Sequence, residues 1–140
     1  MKIVNKKVKF EYTFIETHIV GIKLMGSEVK PIKSGLTSLT DTYCYFSGGE
    51  LFVKGMNIPS KGNSYSHEPI RDRKLLMKKR ELIKLSKQLI NGLTIVPYKI
   101  FVNERGLVKM EIVLAKGKKL HDKRQAIKER DIDRETRKKY

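Results

Sequence analysis

The chain has little from which to build a covalent framework or a membrane anchor. Its single cysteine, Cys44, excludes an internal disulfide bond, and its strand-like surroundings predict that it packs as a small hydrophobic residue. No apolar run reaches the ~18 residues of a membrane-spanning helix, and the segment Met1–Lys7 lacks the apolar core of a signal peptide. These absences predict a soluble, cytoplasmic protein without a membrane partner.

The sequence motifs of catalysis are missing as well. Neither GxxxxGK[ST] nor GxGxxG occurs, and His18, His67 and His121 lie far apart, with no cluster of Cys or carboxylate residues at metal-ligand spacing. We therefore expect no enzymatic activity, no catalytic residue, no metal and no cofactor. Because folding could still bring histidines together, as in a metal-independent ribonuclease, that alternative stays open.

Positive charge is abundant and unevenly distributed. The chain has 31 basic and 15 acidic residues, a formal net charge of +16. Residues 71–89 hold eight basic and two acidic side chains, and residues 116–140 hold eleven and five, so each segment contributes six net positive charges. Charge concentrated in this way predicts a polyphosphate partner, RNA in particular.

Residues 116–140 form a basic tail with few apolar side chains. Such a segment cannot bury enough apolar surface to offset the entropy lost on ordering. It nevertheless has helix signals, including Asp122 and Gln125 at the spacing of a capping box. We expect a domain over residues 1–115 and a tail over 116–140 that is disordered when free and helical when bound to a polyanion. A tail that only increases solubility is the alternative.

Five stretches of the domain have the pattern of strands. The Gly48-Gly49 pair suits a tight hairpin turn between the second and third stretches, and Pro97 indicates an edge or a bulge in the fourth. In the fifth, the apolar side chains of Val108, Met110, Ile112 and Leu114 share one face, opposite Lys109 and Glu111. The predicted strands are 12–24, 40–46, 51–56, 93–102 and 107–115.

Two helices are predicted between these strands. A short one covers about 27–34 and ends at Gly35, and a longer one begins at Pro69 and ends at Asn91-Gly92. In the longer helix, leucines and isoleucines recur every seven residues and predict an apolar stripe, which leaves Arg73 and six other cations for the flanks and outer face. The stripe comprises Leu75, Leu76, Leu82, Ile83, Leu89 and Ile90. Five antiparallel strands with a helix between the third and fourth predict a mainly β fold, a small Greek-key barrel of the OB type.

Five stretches together resemble the SmpB family, the SsrA-binding proteins of bacteria. Their order and spacing match over about Asn5 to Arg130, and the RxRKLL and AKGKK–HDKR motifs are specific to that family. The stretches are Asn5-Lys6-Lys7, Gly26-Ser27-Glu28-Val29-Lys30, Asp41-Thr42-Tyr43, the ten residues from His67 to Leu76, and the ten residues from Ala115 to Arg124.

The resemblance implies a function. Members of the family bind transfer-messenger RNA (tmRNA), gripping the D-loop and elbow of its tRNA-like domain, and bring it to ribosomes stalled without a stop codon. It also implies that the tail enters the decoding centre and the empty mRNA channel, whose walls are formed by small-subunit ribosomal RNA. A functional association with elongation factor Tu and alanyl-tRNA synthetase is implied as well. A basic structural protein bound permanently to ribosomal RNA is the other non-enzymatic alternative.

The resemblance also assigns site residues. Leu76 fits the apolar stripe as well, which favours a core role over RNA contact, and Glu28 either accepts a hydrogen bond from RNA or caps the short helix. The residues that match the tmRNA-binding surface are Asn5, Lys6, Lys7, Glu28, Lys30, Lys74, Leu76, Lys109 and Lys116.

In the tail, His121 matches a position at the decoding centre, where its imidazole could stack on an rRNA base. The matching tail residues are Gly117, Lys118, Lys119, His121, Asp122, Lys123 and Arg124, and Lys128, Arg130, Arg134 and Arg137 would follow in the channel. The chain departs from the family at Ile19, where a glutamate is usual. We expect either the loss of an acidic RNA contact or its replacement by Glu16.

Overall fold

The computed structural model describes residues 1–60, 66–90 and 92–118. Within them the chain forms seven strands and three helices. The strands are β1 (Lys2–Val4), β2 (Tyr12–Ile22), β3 (Tyr43–Ser47), β4 (Glu50–Lys54), β5 (Arg73–Leu76), β6 (Leu93–Val102) and β7 (Val108–Gly117), and the helices are α1 (Lys6–Glu11), α2 (Gly26–Lys33) and α3 (Lys79–Gln88).

All strand pairs are antiparallel, and six of the strands close a ring in the order β6-β3-β4-β5-β2-β7, with β1 added beside β6. The ring is not a regular barrel. The β2–β7 and β6–β7 pairings are long, whereas β3 meets β6 through the single pair Cys44 and Ile95. The mainly antiparallel β fold of the OB type is confirmed, with α3 between β5 and β6 along the chain.

The core occupies the inside of this ring. Val108, Met110, Ile112 and Leu114 of β7 are all buried there, as the alternation of the sequence predicts. A second, smaller cluster lies on the outer face, where Val8 of α1 covers Val96, Val113 and Ala115. Helix α1 therefore packs against the outside of β6 and β7 and fixes the start of the chain there.

Several predicted turns and strands are confirmed. Gly48 and Gly49 both have positive φ, 59° and 80°, and join β3 to β4 in a hairpin. The register of β6 shifts between Pro97 and Lys99, which is the predicted bulge. Cys44 is buried, and burial raises the pKa of its thiol.

The prediction of one long helix from Pro69 to Asn91-Gly92 is wrong in its first half. Residues 73–76 form β5, where Leu75 pairs with both Leu51 and Ile22. Pairing with two neighbours overrides the helix propensity of this short segment. The helical stripe is consequently wrong in part: Leu75 and Leu82 are buried and Leu89 is partly buried, whereas Leu76, Ile83 and Ile90 are exposed.

Two short elements were not predicted from the sequence, and the last strand ends later than predicted. Strand β1 has three residues and α1 has six, too few for a periodic pattern. Strand β7 continues to Gly117, and the Lys118 amide donates to the Glu11 carbonyl (2.9 Å), so this strand ends two residues later than the predicted residue 115. The rest of the tail lies outside the described residues.

Candidate nucleic-acid interface

One end of β2 carries a groove lined by two predicted contact residues. Gly21 pairs with Leu76 on one side and with Lys109 on the other. Leu76 is 49% exposed, which overturns the interpretation as a core side chain. The groove has a volume of about 300 Å³, and its other lining residues include Val29 and Leu107. An apolar floor with a lysine at its edge suits a nucleotide, whose base is flat and whose phosphate is anionic.

Gly21 keeps this groove open. A Cβ at this position would lie 3.3 Å from Leu76 Cβ, closer than ordinary side-chain contacts. No ion pair involves Lys109 within the part of the chain that the structure describes. Its ammonium group is therefore available to a phosphate. Lys30 is exposed and follows Val29 of the groove on α2.

Lys74 belongs to a neighbouring surface on the outer face of β3, β4 and β5. It pairs with Phe52 across the strands, and its Nζ lies 2.8 Å from Glu50 Oε1. The rings of Tyr45 and Phe52 stack at 5.6 Å, and the Tyr45 hydroxyl donates to Asp72. Lys74 is thus partly neutralised and packed, so its charge is less available than that of Lys109.

The N-terminal candidates lie at the opposite end of β2. Lys6 and Lys7 are exposed on α1, and Asn5 precedes this helix. The Asn5 side-chain amide donates to the Leu39 carbonyl (2.8 Å), and its backbone amide donates to the Tyr98 carbonyl (2.7 Å). Both bonds anchor the chain, so Asn5 positions the two lysines and presents only its remaining polar surface to a partner.

Lys116, Gly117 and Lys118 lie at the same end as α1. Lys116 pairs with Thr13 and with Leu93 and is exposed. It lies seven positions after Lys109 on β7, which is about 23 Å at the rise of a strand. The candidates therefore form two groups along the β2–β7 pair, one at the groove and one at the root of the tail.

Glu28 is buried and does not belong to either exposed group. Its Oε1 accepts from the Met25 amide (2.7 Å) and from Arg71 Nη2 (2.5 Å), and its Oε2 accepts from Arg73 Nε (2.5 Å) and Arg71 Nε (3.2 Å). The interpretation of Glu28 as an RNA contact is corrected: with no exposed area, the carboxylate caps α2 and joins it to β5.

Arg73 is the second correction, because the sequence placed it on a flank or outer face. It is fully buried, and its Nη1 donates to the Met56 carbonyl (2.6 Å). Burial lowers the pKa of the Arg73 guanidinium, and the Glu28 carboxylate opposes that shift. Burial raises the pKa of Glu28, but hydrogen bonds from Arg71, the Met25 amide and Arg73 outweigh it and leave that pKa below its ordinary value.

His67 has a structural role beside this cluster. Its Nε2 donates to the Ile58 carbonyl (2.8 Å), and its Nδ1 lies 2.9 Å from Ser27 Oγ. Both ring nitrogens of this buried side chain are engaged, which disfavours it as the general base of a ribonuclease. Within the described residues, no three His, Cys, Asp or Glu side chains are placed to hold a metal ion.

Position 19, where the family usually has a glutamate and this chain has an isoleucine, is exposed. Ile19 is 65% exposed and lies directly across from Glu111 on β7. Glu16 cannot replace that glutamate, because strand alternation places it on the opposite face. There its Oε2 accepts from Gln88 Nε2 (2.8 Å). Glu111 therefore places a carboxylate on the same face of the sheet as Ile19. The strand register, and not the sequence alone, shows that these two residues are neighbours.

The remaining candidates fall outside the described residues, and nothing follows for them from the structure. They are Lys119, His121, Asp122, Lys123, Arg124, Lys128, Arg130, Arg134 and Arg137. Among the described residues, no helix is long and apolar enough to cross a membrane.

Comparison with known proteins identifies the family. The family described as SmpB protein matches residues 2–140. The chain belongs to the SmpB family. The SsrA-binding protein of Cytophaga hutchinsonii is 50% identical, with 96% of this chain and 90% of the relative covered. Those of Phocaeicola vulgatus (50% identical; 96% and 92% covered) and Thermosipho africanus (45%; 96% and 93%) are also similar.

A solved structure has the same fold. It is described as "tmRNA-SmpB: a journey to the center of the bacterial ribosome", and one of its chains is 37% identical to this one with a TM-score of 0.71. The match covers 90% of this chain and 94% of that chain. The likeness therefore extends over nearly the whole of both chains.

Proposed function

We propose that this protein binds the tRNA-like domain of tmRNA and delivers it to stalled ribosomes in trans-translation. It acts in the cytoplasm as an adaptor, by binding rather than by catalysis. Membership of the SmpB family carries the proposal, and relatives named SsrA-binding proteins support it. The charge of the chain fits a partner made of phosphates.

The groove at Gly21 is the proposed contact with the D-loop and elbow. Lys109 would neutralise a phosphate, and Leu76 would support a sugar or a base against the apolar floor. Lys30 and Lys74 extend this surface over α2 and β5. Glu28 positions Lys30 from inside the fold, since its carboxylate holds the first turn of α2 in place.

Glu111 is the proposed acidic contact in place of residue 19. It shares a face with Ile19, and its Oε2 lies 3.8 Å from Lys99 Nζ. A carboxylate next to a lysine at this distance can accept from a base edge or a 2′-hydroxyl while the lysine meets a phosphate. Asn5, Lys6, Lys7 and Lys116 form the second group, at the root of the tail.

The tail is the proposed ribosomal element. Gly117 and Lys118 lead from β7 towards Lys119, His121, Asp122, Lys123 and Arg124 at the decoding centre, and the later cations line the mRNA channel. A channel occupied by message would exclude the tail, so steric competition would select stalled ribosomes. Loading with alanine by alanyl-tRNA synthetase and escort by elongation factor Tu complete the proposed cycle.

A titration with the isolated tRNA-like domain tests the proposal, at ~50 and ~200 mM salt, where purely ionic binding collapses. We expect tight binding that survives the higher salt and resists competition by bulk tRNA. Equal affinity for the two RNAs would contradict the proposal. In a tagging reaction on truncated message, truncation after Leu120 should abolish tagging and leave affinity for the tRNA-like domain nearly intact.

A further inference from the structure

The outer face of α3 carries a cationic stripe that the proposed tmRNA surface does not use. Arg80, Ile83, Lys84 and Lys87 follow the i, i+3, i+4, i+7 spacing of one helix face, and all four are exposed. Leu82 and Leu85 on the opposite face are buried in the core. The three cations span about 10 Å along the axis, at 1.5 Å per residue.

Nothing within the described residues neutralises this stripe, since no ion pair includes Arg80, Lys84 or Lys87. An ordinary solvated helix mixes both signs of charge on its outer face. Here Arg80 and Lys84 are like charges at i, i+4, a spacing that destabilises a helix. The exposed Ile83 lies among the cations, where the aliphatic stems of its neighbours can pack against it.

The start of α3 is also unfavourable for the helix itself. Lys78 is the N-cap residue and makes no side-chain cap, and Lys79 and Arg80 follow it in the first turn. The partial positive charge of a helix N-terminus repels cations. Glu81, the only acidic residue of α3, also lies in the first turn, one favourable charge against three cations. These cations therefore oppose the stability of the helix that presents them, which points to a role outside the fold.

The fold places this stripe between the two groups of candidate residues. Helix α3 begins three residues after Leu76, at the groove, and ends five residues before Leu93, which pairs with Lys116 at the root of the tail. Its last turn is held to β2 by the hydrogen bond from Gln88 Nε2 to Glu16 Oε2 (2.8 Å). The stripe thus leads from the groove towards the tail.

We propose that Arg80, Lys84 and Lys87 form a second RNA-binding surface, which binds the phosphate backbone of ribosomal RNA while the groove holds tmRNA. This inference rests on the proposed function. The ribosome is favoured over tmRNA because the stripe leads to the tail, the segment proposed to enter the small subunit. A 10 Å stripe is long enough to meet about three successive phosphates of one strand, and Ile83 leaves its centre able to pack against a ribose.

A charge-neutral triple variant, Arg80→Gln/Lys84→Gln/Lys87→Gln, tests the surface in the full-length chain. The matched control is Arg105→Gln/Lys2→Gln/Lys54→Gln, which removes the same charges from exposed residues outside both groups of candidate residues and the stripe. Each protein is titrated with the tRNA-like domain and, separately, with ribosomes stalled at the end of a truncated message, between ~50 and ~200 mM salt. Circular dichroism establishes that both variants are folded.

We expect the stripe variant to bind stalled ribosomes about 10-fold or more weakly than the control variant, with a salt slope smaller by about two, and to bind the tRNA-like domain within about twofold of wild type. Equal ribosome affinity for the two variants would overturn the proposal, because net charge alone would then matter. A selective loss of affinity for the tRNA-like domain would assign the stripe to tmRNA instead. Failure of the wild-type protein to bind the tRNA-like domain would refute the proposed function itself, a result separate from these.

Discussion

Helices α2 and α3 lie on either side of β5 along the chain and use charge in opposite ways. At the start of α2, the Glu28 carboxylate accepts from the Met25 amide and from two buried or half-buried arginines. At the start of α3, Lys78, Lys79 and Arg80 meet the positive end of the helix dipole without a side-chain cap. The Glu28 charge stabilises the start of α2, whereas the cations at the start of α3 oppose that helix and are available to a partner.

The largest expected effect comes from removing the carboxylate of α2. Glu28→Gln keeps the shape of the side chain but leaves Arg73 buried without its counter-ion. Breaking a buried pair by removing one partner costs roughly 3–5 kcal/mol. Urea denaturation at neutral pH should show a loss of this size in the free energy of unfolding.

Glu50→Gln is the matched control, because it removes one partner of the half-exposed pair with Lys74. An exposed ion pair contributes about 0–1 kcal/mol, so this variant should lose little stability. Similar losses for Glu28→Gln and Glu50→Gln would show that the buried cluster contributes no more than a surface pair.

The contribution of Glu28 should also depend on pH. Its pKa is lowered in the folded state from the ordinary value of 4.5. The unfolded chain therefore binds the proton more readily, so the stabilisation is fully present above about pH 4.5 and is lost as the pH falls through the lowered folded pKa. The difference in unfolding free energy between wild type and Glu28→Gln should shrink below that pH. A constant difference from neutral pH down to pH ~3 would contradict the lowered pKa.

A smaller effect, on binding rather than folding, is expected at the groove. Lys109→Ala should weaken binding of the tRNA-like domain by roughly 1–3 kcal/mol if its ammonium makes a charge-assisted phosphate contact. The free energy of unfolding should hardly change, since no ion pair of the described chain involves Lys109. An unchanged dissociation constant at low salt would remove Lys109 from the site, and Lys54→Ala serves as the control for charge.

The contrast between these helices also explains what the sequence could predict. Alternation in β7 identified both its core face and Lys109 on the outer face, because strand periodicity is local. The pairing of Leu75 with Leu51 and Ile22 is not local, so the pattern around RKLL predicts a helix there and a core role for Leu76. Arg73 and Glu28 looked like surface residues for the same reason, since their partners are 45 positions apart in the chain.

Resemblance to family motifs predicts different things from the periodicity of apolar residues. It identified the family, which the comparisons confirm, without any knowledge of where side chains point. It therefore placed Glu28 and Lys109 in one set, although one is buried and the other lies on the outer face of its strand. Only the register reveals that Glu111 lies across from Ile19. Whether each assigned residue contacts RNA stays a prediction.

The smallest expected effect comes from a substitution that caps the N-terminus of α3, as Glu28 caps that of α2. Lys78→Asp introduces a carboxylate that can accept from the free amides of the first turn and that suits the helix dipole, so we expect a gain of about 0.5–2 kcal/mol in stability. The same change should weaken binding to stalled ribosomes, because it places a negative charge beside Arg80. Lys78→Ser separates the two effects, since it can cap the helix without adding negative charge. If both variants left stability unchanged, the cations at the start of α3 would carry no energetic cost, and their placement would no longer indicate a role for a partner.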